Sequence, residues 1–319
     1  MKVLLIDADS TIPNIALMRL STWHKSLGDD VELVKANLPY YPNKKKTPYI
    51  SKPADKIYCS VIFEGNADYI VGDNIIFGGT GFDLTTKIPA EAEKFDLDYS
   101  LYPDNDTSYG FITRGCVRNC SFCKVPKKEG YIHKVADVEN IVRHKKVKFL
   151  DNNILAFPEH KEILTELVQK NIKCQFNQGL DIRFLDYENS VLLSKMNYLD
   201  AYFFAFDNWK YKTLIEKKLP LLSWIKTDRL KFFVYVSPYM PLSDTIKRIV
   251  WLKENHCIPY IMRDISCWNS IYSDFFVDLA SYCNQVHIFK KMDFPTFLQK
   301  RHKNNFRISN NTNLWNKNL

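Results

Sequence analysis

Nothing in the 319 residues approaches the ~18 consecutive apolar residues of a membrane span. The opening "MKVLLIDADS" breaks its short apolar run with two aspartates, whereas a secretory signal needs a longer run and a small-residue cleavage site. A soluble, cytoplasmic protein without a membrane partner is therefore expected. Eight cysteines in a chain of this length, with no export signal, do not make a disulfide framework. Cys59, Cys174, Cys257, Cys267 and Cys283 are scattered, and isolated thiols of this kind are common core residues. Glycine is scarce as well: there are ten, three of them in "GGTGFD" at residues 78–83. That segment lacks the Lys-Ser/Thr that completes a P-loop, which argues against a nucleoside triphosphate cradle and leaves a tight loop.

What is present is material for a large core. The chain is 46% hydrophobic, and its length suits two domains. Its 14% aromatic content is high, and part of it is expected to line a substrate cavity. The net charge of +8 is unevenly spread. Residues 1–105 hold 11 Lys/Arg against 15 Asp/Glu, while residues 106–319 hold 33 against 21. Two basic stretches stand out, Lys124 to Lys148 and the tail from Lys290 onward. Such asymmetry points to an anionic partner, either nucleic acid or a phosphorylated substrate.

Strand and helix patterns alternate along the chain, the signature of an α/β protein. "KVLLID" is apolar on both faces, as in a buried parallel strand. "IPNIALMRLSTWHKSLG" repeats apolar residues at helical spacing and can stop at Gly28. "DVELVKA", "ADKIYCSVIF" and "DYIVGDNIIFGG" follow as strands, which predicts a doubly wound parallel sheet. The acidic, proline-containing segment 87–107 reads as a linker. Beyond it, "SYGFITR", "VKFLDN", "IKCQFNQ", "DAYFFAF", "LKFFVYV" and "IPYIMRD" are strands separated by helices. Repeated β-α units build an open sheet or a barrel. "VHIFKK" reads as one further strand, followed by a helix and a polar tail expected to fray. Each strand of the second part ends in polar residues: Arg114, Asp151 to Asn153, Asn177 and Gln178, Asp207 and Asn208, Arg263 and Asp264. In barrels the carboxyl ends of the strands form the active-site face.

Only Cys116, Cys120 and Cys123 have ligand spacing, C-x3-C-x2-C. A structural zinc site wants four closed ligands, and the nearest conventional fourth is His133, ten residues on. Iron–sulfur clusters are held by thiolates in short-spaced runs. Three thiolates on a four-iron cluster leave one iron open to a small molecule.

C-x3-C-x2-C after the first strand of a β-α barrel, with Phe122 before the last cysteine, resembles the radical S-adenosylmethionine (SAM) superfamily. The resemblance implies a 4Fe–4S cluster on Cys116, Cys120 and Cys123, with SAM chelating the open iron. It implies reductive cleavage of SAM to a 5′-deoxyadenosyl radical that abstracts hydrogen from a substrate, with flavodoxin or ferredoxin as electron donor. The fold it implies is a Rossmann-like, cobalamin-binding-type sheet over residues 1–105, a partial (βα)6 barrel over 106–290, and a C-terminal helix and basic tail over 291–319. By position, Asp151, Asn152 and Asn153 stand where the family holds the SAM amino group, although the usual Gly-Gly-Glu is absent. Gln178, Asp181 and Arg183 stand where a ribose or carboxylate contact is expected, Arg263 is a further carboxylate contact, and Phe122 lies where adenine rests. The glycine loop would then face the barrel mouth. The Asp-x-His-x-x-Gly of cobalamin binders is missing, so the first domain is expected to be cobalamin-free and His24 structural. Methylthiotransferases carry three more cysteines in this domain, where only Cys59 occurs.

A second reading belongs to another class: a non-catalytic nucleic-acid-binding protein with a structural zinc or iron–sulfur site. Lys124, Lys127, Lys128, Lys134, Lys145 and Lys146 interleave with Tyr131, His133 and His144, and lysines with rings grip phosphates and stack on bases.

Overall fold

A strand that is apolar on both faces has to be covered on both, and "KVLLID" is: Val3, Leu4, Leu5 and Ile6 are all buried. The computed structural model describes residues 1–42, 44–303 and 305–319. It is an α/β fold with several parallel sheets, and it divides into two compact units. Met1–Gly110 with Arg118–Gly130 make the first, and Phe111–Val117 with Tyr131–Leu319 make the second.

In the first unit, β1 (Lys2–Asp7) leads through α1 (Ile15–Ser26) to β2 (Asp30–Lys35). After the short β3 (Tyr49–Ile50) come β4 (Lys56–Ser60), β5 (Ile70–Val71), β6 (Ile75–Gly78) and β7 (Thr107–Gly110). A four-stranded parallel sheet runs in the order β2-β1-β4-β6. Leu17 and Leu20 of α1 pack with Val3 and Leu5 on one face, and Leu4 and Ile6 pack with Ile57, Cys59 and Val61 on the other. Asn14 caps α1 by accepting from the Leu17 N–H at 3.2 Å. His24 is buried between Asp29 (2.7 Å) and the Tyr58 hydroxyl (3.2 Å), a satisfied structural histidine. The segment 87–107 is not a linker. Ala92 is fully buried, Asp98 accepts from Ser21 and Lys25, and the Tyr102 hydroxyl donates to Asp7. The Asp98 carboxylate has its partners on α1, which the composition of the segment hides.

Gly79 and Gly81 of the glycine loop are required by close approach. A Cβ on Gly79 would meet the Val61 carbonyl at 2.2 Å, and one on Gly81 the Phe63 nitrogen at 2.5 Å. Within this unit Asp9 gathers the neighbouring chain, accepting from the Ile62 and Phe63 N–H groups and from Asn66. The returning segment carries α2 (Val125–Glu129).

In the second unit, β8 (Thr113–Arg114) pairs antiparallel with β9 (His133–Lys134), followed by α3 (Val138–Ile141). β10 (Lys146–Phe149) and β11 (Cys174–Phe176), joined by α4 (His160–Gln169), pair in parallel with Val147 beside Cys174. After α5 (Tyr187–Lys195), three parallel strands stand side by side: β12 (Tyr202–Ala205), β13 (Leu230–Val236) and β14 (Ile258–Arg263). Their connections carry α6 (Lys212–Lys218) and α7 (Leu242–Glu254). On α7, Ile246, Ile249 and Leu252 recur at helical spacing and are buried, each worth about 1.5–3 kcal/mol relative to exposure.

The C-terminal part departs from the sequence reading. "VHIFKK" is a helix, not a strand. After α8 (Ser273–Cys283), α9 spans Val286–Lys291 and buries only Phe289. The reason lies two residues upstream of it, at Asn284. Its Oδ1 accepts the Ile261 N–H at 2.7 Å and its Nδ2 donates to the Ile261 carbonyl at 3.3 Å, occupying the edge of β14 that a further strand would need. The tail is not frayed either, since α10 (Phe294–Arg301) and α11 (Asn305–Lys317) pack onto α8. The fully buried Asp278 accepts from His302 (2.8 Å), from Arg307 (both contacts 3.0 Å) and from Asn311 (2.9 Å), with Arg301 at 3.2 Å. Arg301, His302 and Arg307, in a stretch expected to meet an anionic partner, are here the partners of one carboxylate of the chain itself.

Among the described residues, no helix is long and apolar enough to cross a membrane.

Candidate functional site

The polar residues after β10 hold the segment that leads into the cysteine loop, one after another. Asp151 is fully buried. Its Oδ1 accepts from the Thr113 N–H (2.5 Å) and hydroxyl (2.8 Å), and its Oδ2 from the Ile112 N–H (3.3 Å). Asn152 Oδ1 accepts the Gly115 N–H at 3.0 Å. Asn153 Nδ2 donates to the Cys116 sulfur at 3.4 Å and to Asp181 Oδ2 at 3.2 Å. Three consecutive side chains thus fix positions 113, 115 and 116. Burial pushes the Asp151 carboxyl up to about 6, even though the hydrogen bonds from Thr113 and Ile112 favour its charged form.

Both partners of the Asn153 amide are acceptors, which fixes its nitrogen toward them. Its Oδ1 is buried and has no hydrogen-bond partner. Buried polar atoms are almost always paired. An open acceptor beside a thiol is suited to an ammonium or amide N–H.

Asp181 is held in turn by Arg183, whose Nε and terminal nitrogen reach its two oxygens at 2.5 and 2.8 Å. The guanidinium lies over the Tyr211 ring at 4.9 Å. Burial works against its charge, but the bond to Asp181 prevails and raises its pKa. Of the sequence-derived candidates, Asn153, Asp181 and Arg183 form one hydrogen-bonded group with Cys116, while Asp151 and Asn152 hold residues 112, 113 and 115 just before it. Gln178 is exposed in the loop after β11, and Arg263, at the end of β14, lays its guanidinium over Trp268 at 4.2 Å.

Cys116 belongs to the second unit, whereas Cys120 and Cys123 lie in the segment grouped with the first. The Cys123 N–H donates to the Cys120 carbonyl at 3.0 Å, and the Val125 N–H reaches the Cys123 sulfur at 3.4 Å. Phe122 is 39% exposed. None of the eight cysteines is in a disulfide. Among the described residues, no three His, Cys, Asp or Glu side chains are gathered as a group that would hold a metal ion. The three thiols are half-buried and lie on eight residues of chain, a donor type that suits soft metals, and the Asn153 amide stands against the first of them, Cys116. The five scattered cysteines are buried, as expected of core thiols, and Cys267 spends its S–H on the Val236 carbonyl. Of the lysines after the loop, Lys124 pairs with Glu64 and Lys134 with Asp137.

Sequence reasoning missed Arg248. On α7 it is fully buried and donates to the Phe206 carbonyl (2.8 Å), the Tyr235 carbonyl (3.1 Å) and the Thr245 hydroxyl (3.2 Å), tying the ends of β12 and β13 together. Burial lowers its pKa to about 10. Asp207, named only as a strand-end polar residue, accepts the Tyr235 N–H at 3.1 Å, and loss of water pushes its carboxyl up. The available signal was a lone arginine on the apolar stripe of an amphipathic helix.

No protein-family model, curated protein or solved structure matches the chain.

Proposed function

We propose that the protein is a radical SAM enzyme of the cytoplasm with a single 4Fe–4S cluster on Cys116, Cys120 and Cys123. The finer architecture that goes with this reading is a Rossmann-like sheet followed by a partial (βα)6 barrel. The observation that carries it is the C-x3-C-x2-C spacing together with Asn153, which braces the first of these cysteines and keeps a buried acceptor open. The bound cluster and SAM would supply one-electron cleavage of SAM and a radical able to take a hydrogen atom from substrate.

The protein's own residues have simpler tasks. Asp151 and Asn152 fix the strand end that presents Cys116. Asn153 donates to that sulfur, which holds it in position, and offers Oδ1 to the SAM ammonium. Asp181 keeps the amide of Asn153 oriented, and Arg183 neutralises Asp181. A reducing partner such as flavodoxin or ferredoxin belongs to the same reading.

Anaerobic reconstitution with iron and sulfide tests it. We expect about four irons per chain, a brown protein, and 5′-deoxyadenosine on addition of dithionite and SAM. A colourless protein holding one zinc and no iron would falsify the reading. Replacing Cys116 by alanine should abolish both iron binding and turnover.

A further inference from the structure

The sheet β12–β13–β14 has two unlike faces. Tyr202, Phe204, Leu230, Phe232, Val234 and Val236 occupy one and are buried. Parallel sheets are ordinarily covered on both sides. On the other face, however, Phe203, Lys231, Phe233 and Tyr235 are only half-buried, Tyr260 is 41% exposed and Met262 46%. The register sets Phe203 beside Lys231, Phe233 beside Tyr260, and Tyr235 beside Met262.

These rings are ordered among themselves. Phe203 and Phe233 stack at 4.5 Å with an interplanar angle of 19°. Tyr260 stands nearly perpendicular to both, at 5.9 and 5.8 Å, so the three make an aromatic corner. Gly179 closes it from one side: its φ is +83°, and a Cβ there would lie 2.9 Å from the Phe233 ring. Charge is graded across the face. Lys231 holds its ammonium 5.4 Å from the Phe203 centroid, near the start of β13. At the far end the Tyr235 hydroxyl donates to Asp264 Oδ2 at 2.8 Å, and Asp207 accepts the Tyr235 N–H. One end carries a cation, and at the other the carboxylates are taken up by Tyr235 and Ser266.

We infer that this face binds a free nucleotide, with its base in the corner of Phe203, Phe233 and Tyr260 and its phosphate at Lys231. Same-face residues on a strand are ~6.6 Å apart, so the rows of Lys231 and of Phe233 with Tyr260 lie one such step apart, a separation that a single base and its 5′-phosphate can bridge. The face is three strands wide, offers one ring corner and carries one lysine, which suits a monomer rather than a strand of nucleic acid. As a substrate site it rests on the radical reading above; as a binding site it does not.

Calorimetric titration of the full-length chain with AMP, GMP, CMP and UMP, their nucleosides and inorganic phosphate tests this. At least one nucleotide should bind, its nucleoside about tenfold more weakly, and phosphate alone not at all. Tyr260→Ala should weaken the nucleotide and its nucleoside alike by about tenfold, the loss of one stacking contact. Lys231→Ala should bring the nucleotide down to the affinity of its nucleoside. Both positions are solvent-accessible, and circular dichroism checks that the variants fold. The site is overturned if no nucleotide binds, if both variants bind like the parent, or if a short single-stranded oligonucleotide binds a hundredfold more tightly than every monomer. Repeating the titration with Cys116, Cys120 and Cys123 all changed to alanine separates the two readings. Nucleotide binding without SAM cleavage in the reconstituted parent sinks the radical reading alone, and SAM cleavage without nucleotide binding sinks this site alone.

Discussion

Asn153 places its amide nitrogen 3.4 Å from the sulfur of Cys116 while its own carbonyl oxygen stays buried without a partner. A donor at this distance holds the sulfur in position. Asn153→Asp would put a negative charge there instead, next to Asp181. The alkylation rate of Cys116 by iodoacetamide, resolved by peptide mass spectrometry with Cys123 as internal reference, should change several-fold, because the sulfur loses the donor that holds it in place. An unchanged ratio of the two rates would show that the amide does not tune the thiol.

Asp151 gives the unit a pH dependence whose sign is fixed. Its folded pKa, about 6, lies above its ordinary value of 3.8. The folded state therefore holds the proton more tightly, and the corresponding stability is full below the ordinary value and lost as pH rises through 6. Urea unfolding of parent and Asp151→Ala should show a gap wider by about 2 kcal/mol at pH 4.5 than at pH 7. A gap that narrows on acidification would mean that the hydrogen bonds from Thr113 and Ile112 outweigh burial.

Asp278 holds the C-terminal helices through Arg301, His302, Arg307 and Asn311. Removing one partner of a buried ionic group typically costs about 3–5 kcal/mol. In Asp278→Ala, hydrogen exchange across residues 294–317 should accelerate strongly while α7 keeps its protection. Equal protection of α10 and α11 in both proteins would show that apolar contacts such as Phe294 with Trp315, 4.9 Å apart, suffice.

Gly179 combines a left-handed backbone with a crowded side, since a Cβ would sit 2.9 Å from the Phe233 ring and 3.2 Å from the Phe203 carbonyl. Gly179→Ala should cost about 1–3 kcal/mol in unfolding free energy. Pairing it with Phe233→Leu relieves the crowding but not the strained φ, so recovery should be partial. Full recovery would place the whole cost in the contact with the ring.

The strands were legible wherever one short run carried its own instruction. "KVLLID" is apolar throughout and "LKFFVYV" is a continuous β-forming run, and both are strands. The candidate residues at 151–153 and at 181–183 were legible from their place after a strand, but their partners were not. Nothing local ties Asn153 to Cys116 or Asp151 to Thr113, which are 37 and 38 residues apart. The same blindness to distant partners explains the errors. Asp98 looked like part of a solvated linker because Lys25 lies 73 residues away. The basic residues of the tail looked like a surface for an anionic partner because Asp278 lies on another helix. "VHIFKK" has strand composition, and only the occupied edge of β14 decides against it.

That edge has a consequence for solution behaviour. An exposed strand edge is a template on which another chain can add itself, and proteins defend such edges with charge, proline, bulges or cover. Here a single carboxamide imitates the peptide group of an absent neighbour, with one acceptor for the N–H of Ile261 and one donor for its carbonyl. Asn284 thus occupies one peptide position on the outer edge of β14, and a strand adding there would first have to displace it.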